Sequence, residues 1–317
     1  MNTNNFTRLS LRGLLQAACV MLLLCSLMGW LPVTHWFLEL FVHFRVQYFV
    51  LGLLFVVLFL WLKNNTFVWL ALTICLLNVM VIFDALKLIP HEYVDPDNQR
   101  LKLFHANVLT SNDQYQRLVD QVLSAEVDVV VLQEVNQRWL NKLQALEKRF
   151  PHRIAVPRSD NFGMLLLSRY PINRQHIHQW SLFELPNIEA ELDAEGSAVT
   201  VLAVHPPPPV SERFFKARNE HFNQVSLRIK QLNTPVIVVG DLNTTRWSAG
   251  YRAMVAENGL MNVADGRGFQ PTWPTRLWPL MIPIDHCLVT EELVVQDVNT
   301  GEAFGSDHLP LLVELGF

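Results

Sequence analysis

Three stretches in the first third of the chain limit its fold most severely, because they are apolar on every side. Leu11 to Leu31 carries one charge, Arg12, near its start, while Val46 to Leu62 and Thr66 to Ile82 carry none. A helix lying on a soluble core shows an apolar stripe and a polar face, and these stretches have no polar face. Each approaches the roughly 20 apolar residues that cross a bilayer, the second and third once flanking residues are included. The expectation is a membrane region over residues 1–89 with three transmembrane helices, at about 11–31, 46–62 and 66–86. No small-residue cleavage site follows the first stretch, so it reads as an uncleaved anchor rather than a signal peptide.

Charges around the stretches suggest an orientation. Arg8 and Arg12 precede the first and Lys63 separates the second from the third, whereas Arg45 follows the first and Lys87 the third. That three-to-two balance puts the amino terminus in the cytoplasm and the remainder on the periplasmic or extracellular side. Cys19, Cys25 and Cys75 lie within the stretches, leaving Cys287 alone beyond them, so the remainder has no internal disulfide and no zinc-type spacing.

Past residue 90 the texture becomes that of an α/β protein. "IPHEYVDPDNQR" carries two prolines and several charges and reads as a linker over 90–100. Apolar strand-like runs follow at Leu101–Phe104, Val127–Leu132, Met164–Leu167, Val199–Val204, Val236–Val239 and Ile284–Val289. Helical patterns occupy Asn112–Ser124, Gln137–Phe150, Ser211–Leu232 and Ala249–Asn258, the last stopped by Gly259. Alternating strands and helices with hairpin-like pairs imply stacked sheets with helices outside, in one domain over 101–317. Without the charges of the apolar region, 20 basic and 27 acidic residues remain, net −7. Nucleic-acid binders usually show the opposite balance.

Polar residues recur where the apolar runs stop. "LFHANVL" reaches Asn107, "VVVLQEVN" Glu134, "TVLAVHPPPP" His205, and "VIVVGDLN" Asp241 and Asn243; "IPIDHCLV" opens with Asp285 and His286, and "GSDHLPLLVEL" with Asp307 and His308. Singly, each has an ordinary explanation: a carboxylate after a strand caps a helix or shapes a turn, His205 ends a strand before prolines, and Asp285 pairs with an arginine. Together they form an inventory of carboxylates, amides and histidines suited to a hard divalent cation with acid/base groups beside it. Hydrolysis of a phosphate ester needs that combination.

In their order and separations, "NV", "LQE", "GDLN", "IDH" and "SDHLP" resemble the motifs of the endonuclease/exonuclease/phosphatase superfamily, as does "NFGMLLLSRYPI" from Asn161 to Ile172. The resemblance covers roughly Leu101 to Leu315. It implies a four-layer α/β sandwich of the DNase I-like type, here preceded by the three-helix transmembrane region, and a phosphoesterase dependent on Mg2+ or Mn2+. Carried over residue by residue, it assigns metal binding to Asn107, Glu134 and Asp307. His205, Asp241, Asn243, Asp285, Asp307 and His308 become the catalytic set: Asp241 activates water, Asn243 contacts phosphate, Asp307 orients His308, and Asp285 partners a catalytic histidine. His286 reads equally as a structural residue at the mouth of the site and as a catalytic one.

The resemblance leaves the substrate open. A nuclease-like phosphodiesterase comes first, on His205 with His308; a lipid-directed phosphoesterase acting on phospholipid headgroups is the alternative, and a non-catalytic membrane binding protein is the third reading. The apolar helices imply contact with membrane lipid, and no protein partner can be inferred. "PTWPTRLWPLMIP", Pro271 to Pro283, reads as a loop packed over the site in preference to one lying at a bilayer surface.

Overall fold

The computed structural model describes residues 10–31, 35–85 and 99–316. They fall into two compact units that divide after Ala85. The expected linker over 90–100 lies, except for its last two residues, outside the described residues.

The first unit is helical: α1 (Leu11–Met28), α2 (Trp36–Glu39), α3 (Arg45–Trp61) and α4 (Asn65–Ala85). Ser10 caps α1, its Oγ accepting the Gly13 N–H at 3.1 Å. Cys19 and Leu22 of α1 pack with Phe59 of α3 and Val68, Ala71 and Ile74 of α4. A Cβ on Gly52 would stand 2.9 Å from Cys75 Sγ, so α3 and α4 approach closely there. Outward, Leu54, Val57, Leu60, Trp61, Trp69, Leu76, Met80 and Phe83 are exposed. An apolar exterior of this kind suits a hydrocarbon surround.

Polar atoms lie inside instead. Arg45 Nη1 donates to Ser26 O (2.8 Å) and to Asn78 Oδ1 (3.2 Å), and Asn78 Nδ2 donates to Ser26 Oγ (2.8 Å). Arg45, expected as a loop charge, is therefore the first residue of α3, fully buried and tied to α1 and α4. Of the three expected spans, α1 and the Asn65–Phe83 part of α4 are long and apolar enough to cross a membrane, while α3 is shorter at 17 residues.

The second unit begins its strands at β1 (Arg100–Asn107) and continues through α5 (Tyr115–Ser124), β2 (Val129–Gln133), α6 (Gln137–Lys142), β3 (His152–Val156), β4 (Met164–Ser168), β5 (Ile172–Trp180), β6 (Leu185–Ala194) and β7 (Ser197–Ala203). It ends with α7 (Glu212–Ile229), β8 (Val236–Asp241), α8 (Ala249–Glu257), β9 (Met261–Asn262), β10 (Asp285–Val289), β11 (Val294–Thr300) and β12 (Leu311–Gly316). Two six-stranded sheets result, ordered β11-β12-β1-β2-β4-β3 and β5-β6-β7-β8-β10-β9.

Alternation along the strands makes four layers. Val129 and Val131 of β2 join Ile237 and Val239 of β8 in the core between the sheets. Their neighbours face out: Val130 and Leu132 pack with Leu118 and Val122 of α5 and Trp139 of α6, and Val236 and Val238 with Phe222 and Val225 of α7 and Met254 of α8. The chain is thus an α/β sandwich of the expected DNase I-like type. The helices are shorter than their patterns, α7 ending at Ile229 and α8 at Glu257; α5 starts three residues late, because Asn112 Oδ1 accepts the Gln114 N–H at 3.0 Å in a turn. The helix expected to reach Phe150 stops at Lys142 and continues as a 3-10 turn, Leu143–Leu146.

Candidate active site

Each sheet has one parallel pair, β1 with β2 and β7 with β8. Parallel strands end side by side, so residues following these four strands collect at one edge of the sandwich. β10 runs antiparallel to β8 and starts there, with Asp285 opposite Asp241. β12 runs antiparallel to β1, and the turn entering it carries His308. Rigid strand ends thereby deliver Asn107, Glu134, His205, Asp241, Asp285 and His308 to a common place.

Asn107 is the meeting point of two carboxylates. Its Nδ2 donates to Glu134 Oε1 (3.0 Å) and to Asp241 Oδ2 (3.2 Å), and all three side chains are buried. Glu134 Oε2 accepts the Thr110 N–H at 3.0 Å. Glu134 and Asn243 hold left-handed backbone conformations, φ 61° and 50°. Non-glycine residues in that region carry strain that surrounding contacts must maintain.

Two histidines flank Asp241. Its Oδ2 lies 3.6 Å from His205 Nε2 and 3.7 Å from His308 Nε2. Behind His308 is a buried relay: His308 Nδ1 stands 2.8 Å from Asp285 Oδ2, and Asp285 Oδ1 stands 2.9 Å from His105 Nε2. Burial opposes the charge on Asp285, but the two histidines outweigh it and hold its pKa well below the usual carboxylate range. Burial likewise opposes a proton on His308; Asp285, Asp241 and Asp307 overcome it and push its pKa up to about 10.

Asp307 does not orient His308 as the family resemblance implied; Asp285 does. Asp307 Oδ2 instead accepts from Trp273 Nε1 at 3.0 Å, and among the described residues it shares no hydrogen bond with Asn107 or Glu134. The adjacent Ser306 makes the link between them, its Oγ donating to Asn107 O at 2.8 Å and accepting the His308 N–H at 3.1 Å. Asn243 Nδ2 donates to Pro206 O at 3.0 Å, bracing the proline run after His205. His286 is buried away from the cluster: Nε2 lies 2.8 Å from Thr244 O and Nδ1 3.0 Å from Asn262 Nδ2, against the Tyr251 ring. Burial drives its pKa down to about 4, as befits a neutral structural histidine.

Gln133 and His105 are contributors that the sequence reading did not single out. Gln133 Nε2 donates to Val204 O (2.7 Å) while its Oε1 accepts the Asp241 N–H (2.8 Å), joining the two sheets below the site. His105 sits two residues before Asn107, on the same face of β1, and that spacing was its only signal.

The donor chemistry fits a hard cation. Glu134 is 8% exposed, and the groups that bond it are an amide and a backbone N–H. A buried carboxylate so placed lacks the charge compensation that burial demands. Among the described residues no three His, Cys, Asp or Glu side chains stand at the spacing of a closed metal cage. One or two carboxylates with an amide oxygen suit an ion that keeps several waters, as Mg2+ does.

Residues 103–308 match the model of the Endonuclease/Exonuclease/phosphatase family. Among curated protein sequences none matches the chain. Solved structures share its fold: a humanized D. rerio TDP2 carrying 14 mutations superposes with TM-score 0.58 at 16% identity, covering 69% of this chain and 99% of that one. D. rerio TDP2 complexed with a single-strand DNA product gives the same TM-score, identity and coverage. The endonuclease/exonuclease/phosphatase protein from Beutenbergia cavernae DSM 12333 gives TM-score 0.57 at 19% identity, covering 69% of this chain and 72% of that one.

Proposed function

This chain belongs to the endonuclease/exonuclease/phosphatase family, whose members hydrolyse phosphate esters, and on that premise we propose that it is a membrane-anchored, divalent-metal-dependent phosphodiesterase. The observation that carries the reading is the pair of buried carboxylates, Glu134 and Asp241, joined by the Asn107 amide and faced by His205 and His308.

Glu134 and Asn107 would hold the cation, with Asp307 near enough in sequence to the Ser306 link to complete its surroundings. When bound, such an ion offsets charge on the phosphoryl oxygens. The chain's own groups supply the rest. Asp241 takes the proton of the attacking water, its position set by the backbone bond to Gln133. His308 keeps a proton because Asp285 and Asp241 stabilise it, and presents Nε2 as a donor to phosphate or to the departing oxygen. His205, 3% exposed, faces the same carboxylate from the other side. Asn243 steadies the loop that carries Pro206 and contacts phosphate.

The nuclease-like reading rests on this paired-histidine arrangement. The lipid-directed reading has an observation of its own in the exposed loop at the rim of the site, Arg276–Leu280, and in the acidic balance of the domain. In this reading α1, α3 and α4 form the anchor, α1 and α4 being long and apolar enough to cross by themselves, and the charge balance across three spans favours the non-cytoplasmic face for the second unit. The deciding experiment assays the full chain in detergent with Mg2+ or Mn2+ on a soluble chromogenic phosphodiester, beside Glu134→Ala and His308→Ala. Turnover lost in both variants and on chelation supports the proposal; metal-independent turnover, or none with any phosphodiester, refutes it.

A further inference from the structure

The segment between β9 and β10 has a fixed base and a bare tip. At the base, Thr272 Oγ1 accepts the Asp285 N–H (3.3 Å), Thr272 O accepts the Leu309 N–H (2.9 Å), and Trp273 pairs with Ile282 in an isolated bridge. Trp273 Nε1 and the Thr275 N–H both donate to Asp307, through Oδ2 and O, each at 3.0 Å. Apart from the Trp273–Ile282 bridge, each base contact therefore ends on a residue of the candidate site or next to one. Beyond it, Arg276, Leu277, Trp278, Pro279 and Leu280 are exposed in succession. Leu277 is 56%, Trp278 78% and Leu280 46% exposed, so the loop expected to pack over the site packs only at its base.

A bare Trp and two Leu have an apolar cost that needs an occupant. Three observations favour a phospholipid bilayer. The same chain carries two helices long and apolar enough to cross a membrane. Fourteen residues separate Ala85 from Arg100, a span of at most about 50 Å when fully extended, so a membrane-held α4 keeps the domain within reach of the same surface. Finally, from Gly266 to Ile284 the sequence has Arg267 and Arg276 and no acidic residue, although the domain as a whole is net acidic. Trp flanked by Arg and Leu is the composition found at a headgroup boundary.

We propose that the Arg276–Leu280 tip docks into the lipid headgroup layer and seats the rim of the active site on the bilayer, so that the substrate class is a phosphodiester carried by a lipid headgroup. The choice of substrate rests on the phosphodiesterase reading above; the docking does not. Leu277, Trp278 and Leu280 bury among headgroups and upper acyl chains, Arg276 meets lipid phosphate, and the base contacts hold Asp307 and Asp285 directly above. Tethering supplies proximity, and the tip supplies orientation.

The test uses the full chain reconstituted in vesicles of phosphatidylcholine with phosphatidylglycerol. The tryptophan emission of wild type minus that of Trp278→Phe isolates the rim tryptophan. With lipids brominated near the headgroup that difference signal is expected to be quenched; an unquenched signal overturns the docking, as does quenching by single-stranded oligonucleotide instead, or shielding that appears only on self-association of the chain. Leu277→Ser/Trp278→Ser/Leu280→Ser, all at exposed positions, is expected to cut turnover of headgroup phosphodiesters in the vesicles roughly tenfold while leaving a soluble diester within about twofold. Equal loss on both substrates, or loss on neither, overturns the orienting role. A wild type that is quenched by bromolipid yet turns over no diester leaves the docking standing and removes the substrate assignment.

Discussion

Gln133→Leu is the substitution that most directly tests how the two sheets set the site. The side chain is fully buried, donating to Val204 O at 2.7 Å and accepting the Asp241 N–H at 2.8 Å. Leucine matches its volume but satisfies neither group. Leaving a buried donor and a buried acceptor without partners costs about 1–3 kcal/mol each, and the added apolar burial returns about 1–2 kcal/mol. The net loss is about 1–4 kcal/mol, which for a domain of this size lowers Tm by roughly 2–16 °C. Asp241 and the strand end before His205 lose their common brace, so kcat on a soluble diester should fall by up to about 100-fold, the scale of a 1 Å misplacement. Gly240→Ala attacks the same bridge sterically, since its Cβ would lie 1.9 Å from Val204 O and 2.5 Å from Gln133 Nε2. Thermal melts and diester turnover of the full chain in detergent measure both. A Gln133→Leu protein melting within about 2 °C of wild type with unchanged kcat would refute the reasoning.

Glu134→Gln keeps the shape of the side chain and removes an uncompensated buried charge but turns its amide N–H toward one of the two donors on Glu134, so Tm should change little while kcat/KM with Mg2+ falls by about 100-fold or more; a large loss of Tm alongside the loss of activity would count against a metal role. Asp285→Asn should cost about 3–5 kcal/mol in denaturant titration, because it strands a buried protonated His308, whereas Asp307→Asn, bonded to Trp273, should cost no more than about 1 kcal/mol. Stability should also fall on acidification. Burial lowers the pKa of His221 to about 3 and of His286 to about 4. Below the ordinary histidine value near 6.5 the unfolded chain takes up protons that the folded one refuses, so stability is present above that value and declines as pH drops, by about 1.4 kcal/mol per pH unit for each histidine. Melts between pH 7 and pH 4 would expose a flat profile, which would rule out this account.

The strand ends that bear the site were readable because fully buried strands are uninterrupted apolar runs. β8 is the plainest: Val236 to Val239 and then Asp241, the last residue of the strand. Strands without such runs were not readable. β5, "INRQHIHQW", is polar and largely exposed at a sheet edge, and β3 carries one buried residue of five. β6 escaped for another reason: Glu189, Glu191 and Asp193 interrupt its apolar positions, and Glu189 is held inside by Arg228 and His178. Residue partners were harder still. Motif order placed Asp307 next to His308, but sequence adjacency in an extended turn points successive side chains apart, and Asp285, 23 positions away, is the one that meets the ring.

The placement of the site follows from the topology more than from any single motif. Among the described residues only the β1–β2 and β7–β8 pairs are parallel between neighbours in the two sheets, and a parallel pair is the arrangement in which two strands end together at one edge. Stacking the sheets brings the two edges into apposition, and the antiparallel neighbours β10 and β12 then enter where the parallel strands leave. Each sheet alone has an incomplete set: the first has Asn107 and Glu134, the second Asp241 and Asp285. His308 enters from the first and is held by Asp285 of the second. Because the bonds Asn107 to Asp241, Gln133 to Val204 and Asp285 to both His105 and His308 all cross between sheets, any change in sheet packing is a change in the site. Core substitutions between the sheets, such as Val131→Ala or Ile237→Ala, are therefore expected to alter kcat at temperatures well below their own melting points.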